Sequence, residues 1–384
     1  MEYAKLFESI DALREEYVQV LLDVCSIESP TESKAGVDAV GRYFIERAKR
    51  HGWRVDVHRE EISGDVVAIT MNADAPGAPI ALSGHTDTVH PIGSFGTPPA
   101  RVEGERLYGP GATDCKGGIV AAFLAMDALE RCGFRERPVM LLLQSDEENS
   151  SRNSKKRTIG YICEMARNAA AFLNCEGHNR GYVCLERKGI LKYQFRVLGK
   201  AVHASTCGEG ISAIAEAAHK ILALEQLRDG GEWGVTCNCG LIRGGSAENS
   251  VPAECVFTAD IRVTNEEDSL AAREYVRRVA ETSYIAGSSC EVVLKSYRVP
   301  MVLTERNLKL LARINEIYSA VGLPEMRHRK SSGGSDAADV TEYGIPCVDS
   351  IGVTGEFIHS VNEYMEIPSL SEAAKRIAAI AAYL

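Results

Sequence analysis

No apolar run in the chain approaches the roughly 18–20 residues that span a bilayer. The opening, MEYAKLFESIDALREE, alternates charge with apolar residues where a secretory signal would carry an uncharged stretch. These two lacks predict a cytoplasmic protein without a membrane partner. Basic excess is missing as well. Lys and Arg number 43 against 53 Asp and Glu, a formal net charge of −10, whereas sequence-independent nucleic-acid binding needs a basic face that releases counterions. Nucleic acid is therefore not an expected partner. The chain has no internal repeat, no low-complexity tract and no paired CxxC knuckles. Its twelve cysteines lie scattered from Cys25 to Cys347, mostly in apolar stretches such as AAFLNC and AECVF. Without a secretory signal they read as reduced, buried thiols that carry no chemistry. What remains is ordinary globular composition, 45% hydrophobic and 25% charged, in 384 residues, enough for two domains.

The first fifty residues read as two helices, the first from the 3–4 spacing of Phe7, Ile10, Leu13, Tyr17 and Leu21. Three strand candidates follow, WRVDVH, VVAITMNA and APIALSG, and then a Gly- and Pro-rich stretch over 91–118 that opens into the helix IVAAFLAMDAL. PVMLLLQS and AAFLNC are short, apolar and unalternating, which suits strands buried on both faces of a parallel sheet. Strands alternating with helices predict a helix-covered α/β sheet. Over 190–299 the order changes to strand, helix, strand, strand, helix, strand. That is a ferredoxin-like α+β unit of about 110 residues. It reads as an insertion, because a helix over 304–322, the strand IPCVDSIG and a final helix SLSEAAKRIAAIAAYL resume the α/β pattern. The expected division is residues 1–189 with 300–384 as one discontinuous domain, and 190–299 as the other. Ser369 followed by Glu372 predicts a capping box on the last helix.

Five places put acidic or imidazole groups beyond the carboxyl end of an apolar strand or in the nearby Gly-rich loop, the edge where open α/β sheets bind ligands. His85 and Asp87 follow APIALSG; Asp114 sits in GPGATDCKGG; Asp146, Glu147 and Glu148 follow PVMLLLQS; Glu176 follows AAFLNC; His359 follows DSIGVTGEFI. Singly, each has a plain reading: His85 as a core imidazole, Asp114 as a helix N-cap, the glutamates as a solvated turn. Together they would repel one another without a cation, and a pair of divalent metals would satisfy the His, Asp and Glu donors.

The segments SGHTDTV, LYGPGATDCKGG, SDEE, FLNCEG, GKAVHAS, GGSAENSVPAE with ADIRV, GGSDAAD and IHSVNE occur in an order, and over nearly the whole chain, that resembles a known family. It is that of the co-catalytic di-zinc amidohydrolases and exopeptidases, which includes glutamate carboxypeptidase, acetylornithine deacetylase, succinyl-diaminopimelate desuccinylase and aminoacylase. The resemblance implies a zinc-exopeptidase-like catalytic domain with an inserted lid that dimerises. It implies two divalent ions, zinc ahead of cobalt or manganese. His85 and Glu176 would bind one, Glu148 and His359 the other, and Asp114 both. Asp87 would orient His85, and Glu147 would be the general base activating a water that bridges the metals. In the lid, His203 would stabilise the oxyanion in a partner subunit's site, and Asn249 and Arg262 would hold substrate, Arg262 forking onto a carboxylate. The Gly333–Gly334 turn would offer N–H groups to the same carboxylate.

The implied reaction is hydrolysis of an amide beside a free carboxylate, of the carboxypeptidase or N-acyl-amino-acid deacylase type. The substrate would be a small N-acyl amino acid or a short peptide. A di- or tripeptide aminopeptidase of the same family is the first alternative, and a non-catalytic binding protein the second. One departure is the run NSSRNSKKRTIG after SDEE, where the family makes a shorter turn; it reads either as a solvated loop or as an electropositive rim for acidic substrates.

Overall fold

The apolar runs that do not alternate become the middle of a sheet buried on both faces. Val66–Met71, Ile80–His85, Val139–Gln144 and Ala171–Asn174 are buried along their whole length, as strands covered by helices on both sides must be. The structure is a computed structural model that describes residues 2–228 and 233–384. In it an eight-stranded mixed sheet runs from edge to edge as Arg54–His58, Val66–Met71, Val139–Gln144, Ile80–His85, Ala171–Asn174, Cys347–Asp349, Tyr182–Arg187 and Arg327–Ser331. Val139–Gln144, Ile80–His85, Ala171–Asn174 and Cys347–Asp349 are mutually parallel. Their carboxyl ends therefore open on one edge of the sheet, and that edge carries the site.

The helix Lys116–Arg131 is buried at every position from Lys116 to Leu129, which explains why its sequence shows no polar stripe. It packs in one core with Tyr3–Cys25 and Pro368–Tyr383, and Tyr17 Oη donates to Asp127 on it at 2.8 Å. The chain divides into two compact units. One comprises 1–185, 303–330 and 335–384; the other comprises 186–302 with 331–334. The second unit has a four-stranded antiparallel sheet in the order Thr236–Gly244, Glu254–Val263, Gly189–Leu198, Ser289–Arg298. Helices Ala213–Glu225 and Glu266–Glu281 cover one face of it and are N-capped by Ser212 and Asn265.

Several features depart from the sequence reading. The first unit holds a further antiparallel sheet of Gly355–Glu356, Tyr364–Glu366, Arg106–Tyr108 and Arg101–Glu103, strands of two or three residues that leave no periodic signal. Tyr182–Arg187 and the charged edge strand Arg327–Ser331 were not expected either; basic side chains are a common way to blunt a sheet edge. The capping box does not form. Pro368 takes the first helical position, with Ile367 as N-cap, and Ser369 Oγ instead donates to the Glu366 carbonyl at 2.6 Å.

Candidate metal centre

The sheet edge brings His85, Asp114, Glu148, Glu176 and His359 together in the first unit. Asp114 stands between the two imidazoles. Its Oδ1 lies 2.9 Å from His85 Nε2 and its Oδ2 lies 3.2 Å from His359 Nε2. Glu176 Oε1 is 3.6 Å from His85 Nε2, and Glu148 Oε2 is 3.3 Å from His359 Nε2. The arrangement is a carboxylate with one oxygen for each of two His–Glu pairs. His85 and Asp87 are fully buried, whereas the His359 side chain is 54% exposed, so the cluster opens to solvent on the His359 side.

Asp87 meets the His85 ring chiefly through its main chain: its carbonyl oxygen lies 3.0 Å from Nδ1, with the carboxylate Oδ1 at 3.4 Å. The Asp87 carboxylate accepts from the backbone N–H groups of Glu147 and Glu148 at 3.2 Å each and from Thr31 Oγ1 at 2.8 Å. One buried residue thus holds both the His85 ring and the turn that carries Glu147. Glu147 is half-buried in that turn. Asp146 faces elsewhere: it accepts from Ser154 N–H at 2.9 Å and Thr158 Oγ1 at 2.6 Å, tying the long loop after SDEE back onto the strand end. Two basic residues of that loop are paired as well, Lys156 with Asp339 at 2.9 Å and Arg157 with Glu60 at 3.0 Å.

Close approach of backbones requires glycine at two points beside Glu176. A Cβ on Gly118 would stand 1.8 Å from the Cys175 carbonyl oxygen, and one on Gly352 would stand 2.2 Å from the same atom. The helix after Asp114 and the loop after Cys347–Asp349 therefore clamp the Cys175–Glu176 backbone from two directions.

The electrostatics are those of a cluster short of positive charge. Burial, and then the Asp114 charge, push the Glu176 and Glu148 carboxyls above their ordinary range. Burial alone would also raise Asp114, but the His359 and His85 imidazoles outweigh it and hold that carboxyl below the usual range. Burial works against charge on His85, yet Asp114 and Asp87, with Glu176, lift its pKa well above an ordinary imidazole. Asp114 and Glu148 raise His359 to about 10. Divalent cations would replace those protons and meet the donor preferences of His and carboxylate ligands. His85, Asp114 and Glu148 offer ligand atoms all within 4.8 Å of one another. A second group, His51, Asp127 and Glu130, is equally close, but its carboxylates already accept from Tyr17, Arg131 and Trp53.

The remaining expected residues lie in the second unit. His203 and Asn249 are brought together there: the Ala204 N–H donates to the Asn249 carbonyl at 2.9 Å, and both side chains are exposed. The His203 ring is held by Ser205 Oγ at 2.8 Å. The Arg262 fork already meets Asp260 on the same strand, at 2.6 and 3.0 Å. Gly333 is exposed and its carbonyl accepts from Arg187 at 3.2 Å, while Gly334 leaves room for the Arg298 stem.

Sequence reasoning passed over Glu363. This carboxylate is fully buried and accepts from the Thr113 and Asp114 N–H groups, each at 2.9 Å, and pairs with His90 at 2.9 Å. Its only signal was its place in the segment IHSVNE.

Residues 81–383 match the sequence profile of peptidase family M20/M25/M40. The chain is 28% identical over 373 residues to carboxypeptidase G2 of Pseudomonas sp. (strain RS-16), covering 95% of this chain and 88% of that protein. It is 26% identical to acetylornithine deacetylase of Myxococcus xanthus, covering 84% of each. Its fold is similar to that of a tripeptidase from Staphylococcus aureus, with a TM-score of 0.78 at 22% identity over 96% of this chain and 97% of that one.

Proposed function

The chain belongs to peptidase family M20/M25/M40, a family of metal-dependent hydrolases, and from that premise we propose that it hydrolyses an amide bond next to a free carboxylate. The substrate is a small N-acyl amino acid or a short peptide with a free C-terminus, cleaved in deacylase or carboxypeptidase fashion. One observation carries the reading: Asp114 presents one oxygen to His85 and the other to His359. Two divalent ions fit that set, zinc first, with His85 and Glu176 holding one, His359 and Glu148 the other, and Asp114 both.

The cations, when bound, supply the Lewis acidity that polarises the scissile carbonyl and acidifies the attacking water. Glu147 takes the proton of that water and passes it to the leaving nitrogen. Asp87 holds the Glu147 turn so that the base keeps its aim. His203 donates to the developing oxyanion, and Asn249, Arg262 and the Gly333–Gly334 turn orient the substrate. His203 acts across a homodimer formed through the second unit. In support, Thr236–Gly244 exposes Leu241 and Ile242 at an unpaired sheet edge, and helix Ala213–Glu225 exposes Leu222. A cytoplasmic setting agrees with twelve cysteines none of which forms a disulfide.

A second reading, a di- or tripeptide aminopeptidase, is favoured by one observation: Arg262 is already forked by Asp260. The test is a panel of N-acyl amino acids, C-terminally free peptides and N-terminally free tripeptides, run with metal content measured on the same Zn²⁺- or Co²⁺-loaded protein. Cleavage confined to the free-N-terminus tripeptides would reject the carboxylate reading. Metal-loaded protein inert on the whole panel would favour a non-catalytic binding protein.

A further inference from the structure

Glu363 belongs to two turns at once. Its own N–H donates to the Ser360 carbonyl at 3.0 Å, so its backbone closes the turn that begins beside His359. Its side chain reaches the turn that ends in Asp114, 249 residues away in sequence. There Oε1 accepts from the N–H groups of Thr113 and Asp114, each at 2.9 Å, while Oε2 accepts from Gly111 N–H at 3.3 Å and pairs with His90 Nε2 at 2.9 Å. The backbones dock alongside: Gly109 N–H donates to the Glu363 carbonyl at 3.2 Å, and Thr113 Oγ1 donates to the Tyr364 carbonyl at 2.8 Å.

The Gly109–Asp114 segment has no helix or strand of its own to satisfy these N–H groups. Buried donors without partners are costly, so the loop keeps its path only while an acceptor fills its concave side. A fully buried carboxylate likewise needs several donors around it, and here it has four. Each requirement answers the other. The geometry of that exchange fixes where Asp114 stands relative to His359, which its Oδ2 meets at 3.2 Å.

We propose that Glu363 is a positioning residue of the metal centre: it sets the separation between Asp114 and His359 by clamping their two turns, without touching metal or substrate. This inference rests on the reading of Asp114 and His359 as metal ligands.

The experiment compares full-length wild type, Glu363→Ala and Glu363→Gln, titrated with Co²⁺ alone and followed by its visible absorption, with melting curves on the same samples. Loss of an outer partner of a metal ligand typically costs about 10–100-fold in affinity. Glu363→Ala is expected near the upper end, with an altered Co²⁺ spectrum, lower kcat and little change in KM. Glu363→Gln keeps one oxygen for Thr113 and Asp114, so it should lie between Ala and wild type, about 10-fold weaker than the latter. A purely structural role would lower the melting temperature and leave Co²⁺ affinity and spectrum as in wild type; that result in folded Glu363→Ala overturns the proposal. If Glu363→Ala does not fold, wild-type Co²⁺ affinity and spectrum in Glu363→Gln overturn it instead. Wild-type protein that binds no Co²⁺ overturns the metal reading itself and the inference with it, so the two failures are told apart.

Discussion

The Glu148 N–H donates to Asp87 Oδ2 at 3.2 Å across 61 residues of sequence, so the Glu147–Glu148 turn is held by the same carboxylate that faces the His85 ring. Asp87→Asn puts an amide NH₂ against at least one of the donors that Asp87 now receives. We expect Co²⁺ affinity to fall by about 10–100-fold, the scale for losing an outer partner of a metal ligand, with kcat falling too because the Glu147 turn is freed. Calorimetric Co²⁺ titration beside steady-state kinetics checks both; an affinity unchanged from wild type would show that Asp87 is dispensable to the site.

Glu147→Gln should separate binding from turnover. The variant keeps its metal, since Glu147 is assigned no ligand role, and loses at least about 10²-fold in kcat, the usual contribution of a positioned acid–base group. Metal analysis and kinetics on one preparation decide it. Near-wild-type turnover rejects Glu147 as the base.

Metal loading should weaken as pH falls. His359, raised to about 10 by Asp114 and Glu148, and Glu176, raised by burial and the Asp114 charge, hold protons in the metal-free cluster that a cation must expel. Binding therefore releases protons, and affinity rises with pH up to the range of those raised values. Titrating Zn²⁺ into weakly buffered protein at neutral pH should acidify the solution. Proton uptake, or no change, contradicts the assignment.

Gly118→Ala places a methyl group 1.8 Å from the Cys175 carbonyl. Neither partner is a flexible side-chain end, so the helix or the Glu176 loop must move. We expect about 1–3 kcal/mol of lost stability, as for overpacked cores, and weaker metal binding through Glu176. Thermal melts with and without Zn²⁺ measure the two effects separately.

Neutralising Lys155, Lys156 and Arg157 tests the electropositive-rim reading of that loop. Two of the three already face carboxylates, Asp339 and Glu60, which cancels most of the field they could project. We expect kcat/KM for acidic substrates at low salt to change less than about twofold. A large, salt-sensitive drop would restore the rim.

His85, Glu148 and Glu176 could be read from sequence because each follows an apolar strand, and those strand ends share one direction. Asp114 and His359 join them from loops beside that edge. Glu363 could not be read that way: it acts on backbone N–H groups 249 residues distant, and no side-chain pattern announces a backbone partner. The RHRKS strand hid for a different reason, since its charges suit an edge and resemble a loop. Ser369 and Glu372 show the opposite error, a motif present in sequence but overruled because Pro368 already starts the helix. The Arg262–Asp260 pair was missed although the strand was expected: alternate residues on a strand share a face, but the sequence does not say that the guanidinium closes on Asp260.

Four of the five proposed metal ligands precede the second unit in the chain, and His359 follows it. Coordination would thus close a ring of polypeptide from Glu176 to His359 that contains the whole of that unit, much as a crosslink closes a loop. A ligand that binds only the folded form adds its binding energy to the fold. Cation loss then becomes a matter of durability: the stripped chain should unfold sooner, and proteases should find it before any assay of turnover reveals a fault.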